Sequence, residues 1–262
     1  MKIDLAGKKA LVTGSTSGMG HAIASGLARA GAAVTVHGRS DESVGPAVER
    51  LKREVAGADV RGVAADLADR EAIDRLIAAE PSVDILVSNA GPTENVPFFE
   101  IEEEEWERFF RIYVMAAVRL SRHHARGMVE RGWGRVVFNA SVVSGYQLGE
   151  MVHWGACKAA LLGLSRGLAE NLAGSGVTAN AFLPGPTHTE ESFMTRAHPE
   201  AGKSFAEIEE EIFSGPMKAS LIERFIRPEE VGNLVVFLAS DQASAITGAA
   251  LRVDGGVIRY PL

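Results

Sequence analysis

Short apolar runs alternate with amphipathic stretches along almost the whole chain, and this alternation is the feature that most constrains its fold. The runs at 8–13, 33–37, 60–64 and 83–87 have the length of buried strands, and a stretch with helical periodicity follows each of them. Regular alternation of this kind produces parallel strands joined by crossover helices that cover both faces of the sheet. We therefore predict an α/β fold with a doubly wound parallel sheet.

Length and composition are those of one soluble domain. With 262 residues, of which 46% are hydrophobic and 23% charged, the chain can bury a large core. Its net charge of −7 argues against nucleic acid or an anionic membrane as a main partner, and no apolar run has the length of a membrane span. A single cysteine, Cys157, suits a reducing cytosol, and the N-terminal stretch does not resemble a signal peptide. We expect one cytoplasmic domain over residues 1–262.

A glycine-rich turn joins the first predicted strand to the first predicted helix. The segment Thr13–Gly20 reads TGSTSGMG, and Gly14, Gly18 and Gly20 would allow a tight turn and the close approach of a pyrophosphate. The free N–H groups at the start of the following helix would then point at the phosphates. Glycine spacing alone is weak evidence, because many such turns have no ligand.

The end of the second strand indicates which dinucleotide this turn would bind. The strand ends in His37-Gly38-Arg39, without the Asp or Glu that would hydrogen-bond the ribose 2′-hydroxyl of NAD. Arg39 instead offers a guanidinium suited to a 2′-phosphate. The alternatives are that Arg39 is a solvated surface residue and that His37 is an ordinary strand-end residue. We interpret the pattern as a preference for NADP(H).

A second group of polar residues follows the fifth predicted strand, Arg135–Ala140. Ser141 leaves the carboxyl end of this strand, and Trp154 and Lys158 lie four residues apart on the next helix, so they share one face. A hydroxyl, an indole and an ammonium would therefore meet at the edge where open α/β sheets bind ligands.

These motifs resemble those of the short-chain dehydrogenase/reductase family over essentially the whole chain. The family pattern is a Ser, a Tyr thirteen residues later and a Lys four residues further on; Ser141 and Lys158 match, whereas Trp154 occupies the Tyr position. The family also has an Asn seven residues after a Trp on the long middle helix, and here Trp106 is followed by Tyr113. The resemblance implies a Rossmann-type sheet of seven parallel strands in the order 3-2-1-4-5-6-7.

The resemblance also implies which residues hold the cofactor. Asp66 and Leu67 would hold the adenine edge, and the segment Ser88–Gly91, which reads SNAG where the family usually has NNAG, would pass close to a ribose. The loop PGPTHT after the sixth strand resembles the family loop that holds the nicotinamide carboxamide. The expected NADP(H)-binding residues are Gly14, Ser15, Thr16, Ser17, Gly18, Met19, Gly20, Arg39, Asp66, Leu67, Asn89, Ala90, Gly91, Lys158, Pro184, Gly185, Thr187 and Thr189.

The catalytic machinery implied by the resemblance is incomplete here. In the family the Tyr phenol protonates a carbonyl oxygen as hydride arrives, the Lys lowers the pKa of the phenol, the Ser orients the carbonyl and the Asn holds a water. Trp154 cannot act as that acid, because an indole N–H donates a hydrogen bond but has no useful acidity near neutral pH. We expect Ser141, Trp154, Lys158 and Tyr113 to form the catalytic group.

Several explanations of the altered site remain open. In the first explanation, the proton donor has moved to Tyr113, whose pKa a nearby ammonium would lower. Weaker candidates for the proton donor are Tyr146, His153 and His188. Alternatively, the substrate is an iminium ion or an activated alkene, or the reaction is a redox-neutral lyase or isomerase step. A third explanation is a protein that binds NADP(H) with little turnover. Tyr113 and Trp154 can also be two bulky replacements that compensate each other by packing.

The stretch 190–226 is expected to be a mobile, helical lid over the substrate, because Phe, Met, Glu and Lys dominate it.

The acidic run at 101–105 is interpreted as favourable charge at a helix start, so no metal is expected. The pocket is expected to be lined mostly by apolar side chains, which predicts an apolar small molecule. Its expected lining is Thr93, Phe98, Val142, Val143, Gln147, Met151, Pro186, Phe193 and Met194.

The sequence thus predicts an NADP(H)-dependent oxidoreductase with a non-standard active site, acting on a carbonyl, imine or activated alkene. The family resemblance adds an oligomer, a homotetramer or a homodimer, with the segment 251–256 near a subunit interface.

Overall fold

A seven-stranded parallel sheet forms the centre of the protein, whose computed structural model describes residues 2–146, 149–189, 203–215 and 217–260. Neighbouring strands are paired in parallel in the order 3-2-1-4-5-6-7, which confirms the predicted fold. The strands are β1 (Lys9–Val12), β2 (Ala33–Gly38), β3 (Val60–Ala64), β4 (Ile85–Ser88), β5 (Gly134–Asn139), β6 (Val177–Pro184) and β7 (Ala250–Val253).

Helices cover both faces of the sheet because successive strand residues point to opposite sides. The described helices are α1 (Gly18–Arg29), α2 (Asp41–Glu54), α3 (Arg70–Ala79), α4 (Glu103–Phe110), α5 (Ala116–Arg131), α6 (Val152–Asn171), α7 (Phe205–Ser214) and α8 (Pro228–Leu238). Among them, none combines the length and hydropathy that a membrane span requires. On β1, Val12 packs toward the face covered by α1, α2 and α8, whereas Leu11 packs toward the face covered by α3, α5 and α6.

The long middle helix is interrupted where the sequence pattern predicts a continuous one. The helix expected from Ile101 to about Glu130 consists of α4, a π-helical turn at Arg111–Met115, and α5. Three glutamates lie in the first turn of α4, as the interpretation of the acidic run requires. π-Helical turns are rare and occur mostly near functional sites. This one contains Tyr113.

The predicted lid over 190–226 is described at 203–215 and 217–226, and α7 lies within it. Its remaining residues, including Phe193 and Met194, lie outside the described residues, as does Gln147. At the end of this stretch, Ile226 pairs with the loop after β6: its N–H donates to the Pro186 carbonyl at 2.9 Å, and its carbonyl accepts from His188 N–H at 2.9 Å. A lid function for the stretch stays a prediction.

Candidate active site

The glycine turn between β1 and α1 packs tightly against the end of β4. Gly14 and Gly18 have φ values of 63° and 53°, a left-handed conformation that favours glycine. A Cβ on Gly14 would lie 2.7 Å from the Cα of Ala90, and a Cβ on Gly20 would overlap the Gly14 carbonyl. The first hydrogen bond of α1 runs from His21 N–H to the Ser17 carbonyl, so the N–H groups before His21 are not used by the helix's own hydrogen bonds. This geometry fits a bound pyrophosphate.

Asn89 braces this turn with its side chain. Its Nδ2 donates to the carbonyls of Thr13 and Gly14, at 3.2 Å each, and its Oδ1 accepts from Asn139 Nδ2 at 3.0 Å. The backbone N–H groups of Asn89 and Ala90 both donate to Thr13 Oγ1. Asn89 is therefore a support of the turn whose amide is engaged within the protein. The sequence motif gave no sign of this role or of the part played by Asn139.

The end of β2 presents Arg39 to solvent beside two hydroxyl groups. Arg39 is exposed and forms no ion pair with a described residue. A Cβ on Gly38 would lie 2.6 Å from Thr16 Cγ2 and 2.9 Å from Ser43 Oγ, so both side chains lie beside this strand end. A guanidinium next to hydroxyl groups suits a phosphate.

Two further predicted segments lie at the same edge of the sheet. Asp66 follows β3, is exposed, and accepts a hydrogen bond from Ala68 N–H at 2.9 Å, whereas Leu67 is buried in the core. Thr187 donates from Oγ1 to the Gly185 carbonyl at 2.9 Å. A Cβ on Gly18 would lie 3.2 Å from Thr189 Cγ2, so the loop after β6 reaches the glycine turn.

Ser141 leaves β5 in a strained backbone conformation. Its φ is 54° and its ψ is 156°, a combination that is uncommon for a residue with a Cβ. The carbonyl of Ser141 accepts hydrogen bonds from the N–H and the hydroxyl of Ser144, at 3.2 and 2.8 Å, which close the short turn Val142–Ser144. Such strain costs about 1–3 kcal/mol and concentrates at functional sites.

Lys158 is buried beneath the ring of Tyr113. Its Nζ donates to the Asn139 carbonyl at 2.6 Å and lies 4.6 Å from the centre of the Tyr113 ring. Only 3% of the residue is exposed, and burial lowers the pKa of its amine to about 7. The amine therefore titrates near neutral pH.

The phenol of Tyr113 is engaged with the backbone. Its hydroxyl donates to the Pro92 carbonyl, and its ring packs so closely on Gly91 that a Cβ there would overlap it. Burial raises its pKa well above the ordinary value, although the nearby Trp154 opposes this effect. The expectation of a lowered pKa for Tyr113 is wrong, because burial of the phenol dominates and raises the pKa.

Trp154 packs with Phe109, Tyr113 and Cys157 in a small aromatic cluster. Its indole Nε1 is buried and, although it lies near Tyr113, has no partner in hydrogen-bonding geometry within the described part of the chain. Cys157 is an inert buried thiol, because burial raises its pKa to about 11.

The weaker candidates for the proton donor lie in other surroundings. His153 is fully buried, and its ring centre lies 4.2 Å from that of Phe109 with the ring planes tilted by 59°; burial lowers its pKa. The ring centre of His188 lies 4.5 Å from that of Phe205. Tyr146 is 37% exposed in the loop before α6.

Hydrogen bonds connect the loop after β4 to the segment before α6. Asn95 Nδ2 donates to Glu150 Oε2 at 2.7 Å, and Val96 N–H donates to the Glu150 carbonyl at 2.8 Å, so the loop after β4 is tied to the segment before α6. Val142, Val143 and Met151 are buried, whereas Phe98 is about half exposed. No cluster of metal-ligating side chains occurs in the described ranges.

Comparison with known proteins gives consistent matches along the whole chain. A family model described as enoyl-(acyl carrier protein) reductase matches residues 14–258. The uncharacterized oxidoreductase YvaG of Bacillus subtilis is 44% identical over 261 residues, 99% of either chain. L-Sorbose reductase from Gluconobacter frateurii, solved with NADPH and L-sorbose, is 33% identical with a TM-score of 0.90 over 100% of both chains. A solved short chain dehydrogenase/reductase family protein is 34% identical with a TM-score of 0.82 over 98% of both chains.

Proposed function

Because this chain belongs to the short-chain dehydrogenase/reductase family, we propose that it is an oxidoreductase that uses NADP(H) and works without a tyrosine acid at position 154. The observation that carries the proposal is the glycine turn at Gly14–Gly20, whose neighbouring strand end presents Arg39, an exposed guanidinium with no ion-pair partner among the described residues. Ser141 follows the carboxyl end of β5, and the Lys158 amine donates to the carbonyl of Asn139, the last residue of that strand. When bound there, NADPH would supply a hydride to the substrate.

Each part of the cofactor has a group that suits it. The N–H groups at the start of α1 would hold the pyrophosphate, and Arg39 with the Thr16 hydroxyl would hold the 2′-phosphate. Asp66 would contact the adenine edge, and Thr189 lies where the loop after β6 meets the glycine turn. These groups support NADP(H) rather than NAD(H).

Two donors remain for the substrate in the proposed site. The hydroxyl of Ser141 and the indole N–H of Trp154 would hydrogen-bond an oxygen or nitrogen acceptor, which polarises the substrate but transfers no proton from the indole. Such a site favours substrates that accept hydride without a strong acid. We therefore place imines, in their iminium form, and activated alkenes ahead of ketones, with water supplying any remaining proton.

A second candidate function is a protein that binds NADP(H) with little turnover. The observation that favours it is the Tyr113 ring, which covers the Lys158 amine and packs on Gly91. The two candidates differ in whether NADPH is consumed.

We expect the purified protein to oxidise NADPH faster with imines and activated alkenes than with ketones. We expect the substitution Arg39→Leu to raise the Kd for NADPH about tenfold to a hundredfold. Arg39→Leu should leave the weaker binding of NADH nearly unchanged, because only NADPH carries the 2′-phosphate. Absorbance of NADPH measures turnover, and fluorescence titration measures both dissociation constants.

Arg53→Leu is the matched control, since Arg53 is an exposed arginine on α2 away from the strand end. Tight NADPH binding without consumption of NADPH by any substrate class would support the second candidate. Equal weakening of NADPH and NADH by Arg39→Leu would contradict the assignment of the 2′-phosphate to Arg39.

Tyr113→Phe is expected to leave turnover and its pH profile unchanged. The phenol already donates to the Pro92 carbonyl, and its raised pKa makes it a poor acid near neutral pH. The measurement is kcat/KM across the pH range in which the protein is folded. A loss of about a hundredfold or more, together with a displaced pH limb, would instead identify Tyr113 as the relocated acid.

A further inference from the structure

His37 joins the two segments that flank the adenosine half of the proposed cofactor site. Its ring Nδ1 lies 3.2 Å from the backbone N of Gly14, in the glycine turn, and its Nε2 lies 3.1 Å from the carbonyl oxygen of Ala65, in the loop after β3. Only 2% of His37 is exposed. Ala65 directly precedes Asp66.

The backbone of His37 strengthens the first of these connections. Its N–H donates to Ser15 Oγ at 3.0 Å, and its carbonyl accepts from Ser15 N–H at 2.9 Å. Ser15 Oγ in turn donates to the Val12 carbonyl at 2.7 Å. The glycine turn is therefore attached to β2 through His37 at several points.

These partners determine the tautomer of the ring. A backbone N–H can only donate, so Nδ1 must accept the hydrogen bond from Gly14. A backbone carbonyl can only accept, so Nε2 must carry the proton and donate to Ala65. The arrangement requires a neutral imidazole with its proton on Nε2, and a protonated ring would turn the Gly14 contact into two opposed donors.

We propose that His37 is a positioning residue for NADP(H), which holds the glycine turn and the loop after β3 at a fixed separation. The proposal rests on the cofactor assignment made above. Because Gly14 begins the turn expected at the pyrophosphate and Asp66 is expected at the adenine, the ring connects both contacts. Burial lowers the pKa of His37 to about 4, so the neutral form persists through the physiological pH range.

The decisive experiment compares substitutions that remove the two hydrogen bonds separately and together. His37→Phe removes both and is expected to raise the Kd for NADPH about tenfold to a hundredfold while kcat at saturating NADPH changes little. His37→Asn keeps an acceptor near Nδ1, and His37→Gln keeps a donor near Nε2. Each amide variant is expected to bind NADPH with a Kd between those of the unmodified protein and His37→Phe.

Thr35→Val is the matched control because Thr35 lies two residues earlier on the same buried strand. It donates to Glu80 Oε1 at 2.8 Å and is not one of the residues assigned to the cofactor, so its loss should lower the free energy of unfolding without changing the Kd for NADPH. If His37→Phe and Thr35→Val change stability and Kd to the same extent, His37 is only a structural residue and the proposal is overturned.

Nitrogen NMR of the imidazole in the cofactor-free protein gives an independent readout. Near neutral pH, a protonated Nε2 and an unprotonated Nδ1 are expected, and the opposite tautomer would also overturn the proposal. If the unmodified protein does not bind NADPH, the cofactor assignment itself fails. If it binds NADPH and His37→Phe binds equally well, only the positioning role fails.

Discussion

Replacing Trp154 with tyrosine is expected to raise NADPH-dependent reduction of ketones by roughly a hundredfold to ten-thousandfold, the usual contribution of a general acid. Trp154 lies one helical turn before Lys158 on α6, so a phenol there would have a group that titrates near neutral pH beside it. The phenol is smaller than the indole and fits the space that the indole vacates. The measurement is the initial rate of NADPH oxidation with a panel of ketones.

Trp154→Phe is the matched control for this experiment. It removes the indole N–H and supplies no acid, so it should not gain ketone reduction. The double variant Trp154→Tyr with Tyr113→Asn also uncovers the Lys158 amine and is expected to gain more than Trp154→Tyr alone. If all three variants reduce ketones no faster than the unmodified protein, the missing acid is not what limits ketone reduction.

Lys158→Met is expected to stabilise the protein by roughly 3 to 5 kcal/mol below about pH 7, because it removes a buried amine that is costly to charge. Burial lowers the pKa of this amine from 10.5 in the unfolded chain to about 7 in the folded protein. Between these two values the unfolded chain binds a proton that the folded protein does not, so stability of the unmodified protein rises with pH.

The advantage of Lys158→Met should therefore be complete below about pH 7 and should disappear as the pH approaches 10.5, above which the amine is neutral in both states. Urea unfolding of both proteins at several pH values measures this difference. Lys52→Met, at an exposed position on α2, is the control and should show no such dependence. A constant difference between Lys158→Met and the unmodified protein across the pH range would contradict the burial of a titrating amine.

The fold was predictable because it rests on local patterns. Leu11 and Val12 point to opposite faces of β1, and each finds a helix because apolar residues recur with helical spacing in the following stretches. The glycine positions were also informative about the turn. A side chain on Gly14 would collide with Ala90, and a side chain on Gly20 would collide with the Gly14 carbonyl. The strand and helix patterns act between residues close in sequence or repeat at a fixed period, whereas the contact of Gly14 with Ala90 joins distant residues and shows in the sequence only as a glycine position.

The chemistry of the site was less predictable, because it depends on which atoms face each other across the fold. The spacing of Trp154 and Lys158 correctly placed them on one helix, and the family pattern correctly pointed to Tyr113 as their neighbour. The pattern misjudged the pKa of Tyr113, because it does not reveal that the phenol donates to the Pro92 carbonyl inside a buried cluster.

The alternation of apolar runs and amphipathic stretches in the sequence by itself determined the parallel α/β sheet, and the resemblance of its motifs to a known family supplied the strand order. The same motifs predicted the candidate site and its cofactor. Only the tertiary structure decided that His37 connects Gly14 to Ala65 and that Ser141 adopts a positive φ. Hydrogen bonds between distant segments and the burial of ionisable groups depend on the packing of the whole chain. No local spacing encodes them, which is why the fold was predictable and the protonation chemistry was not.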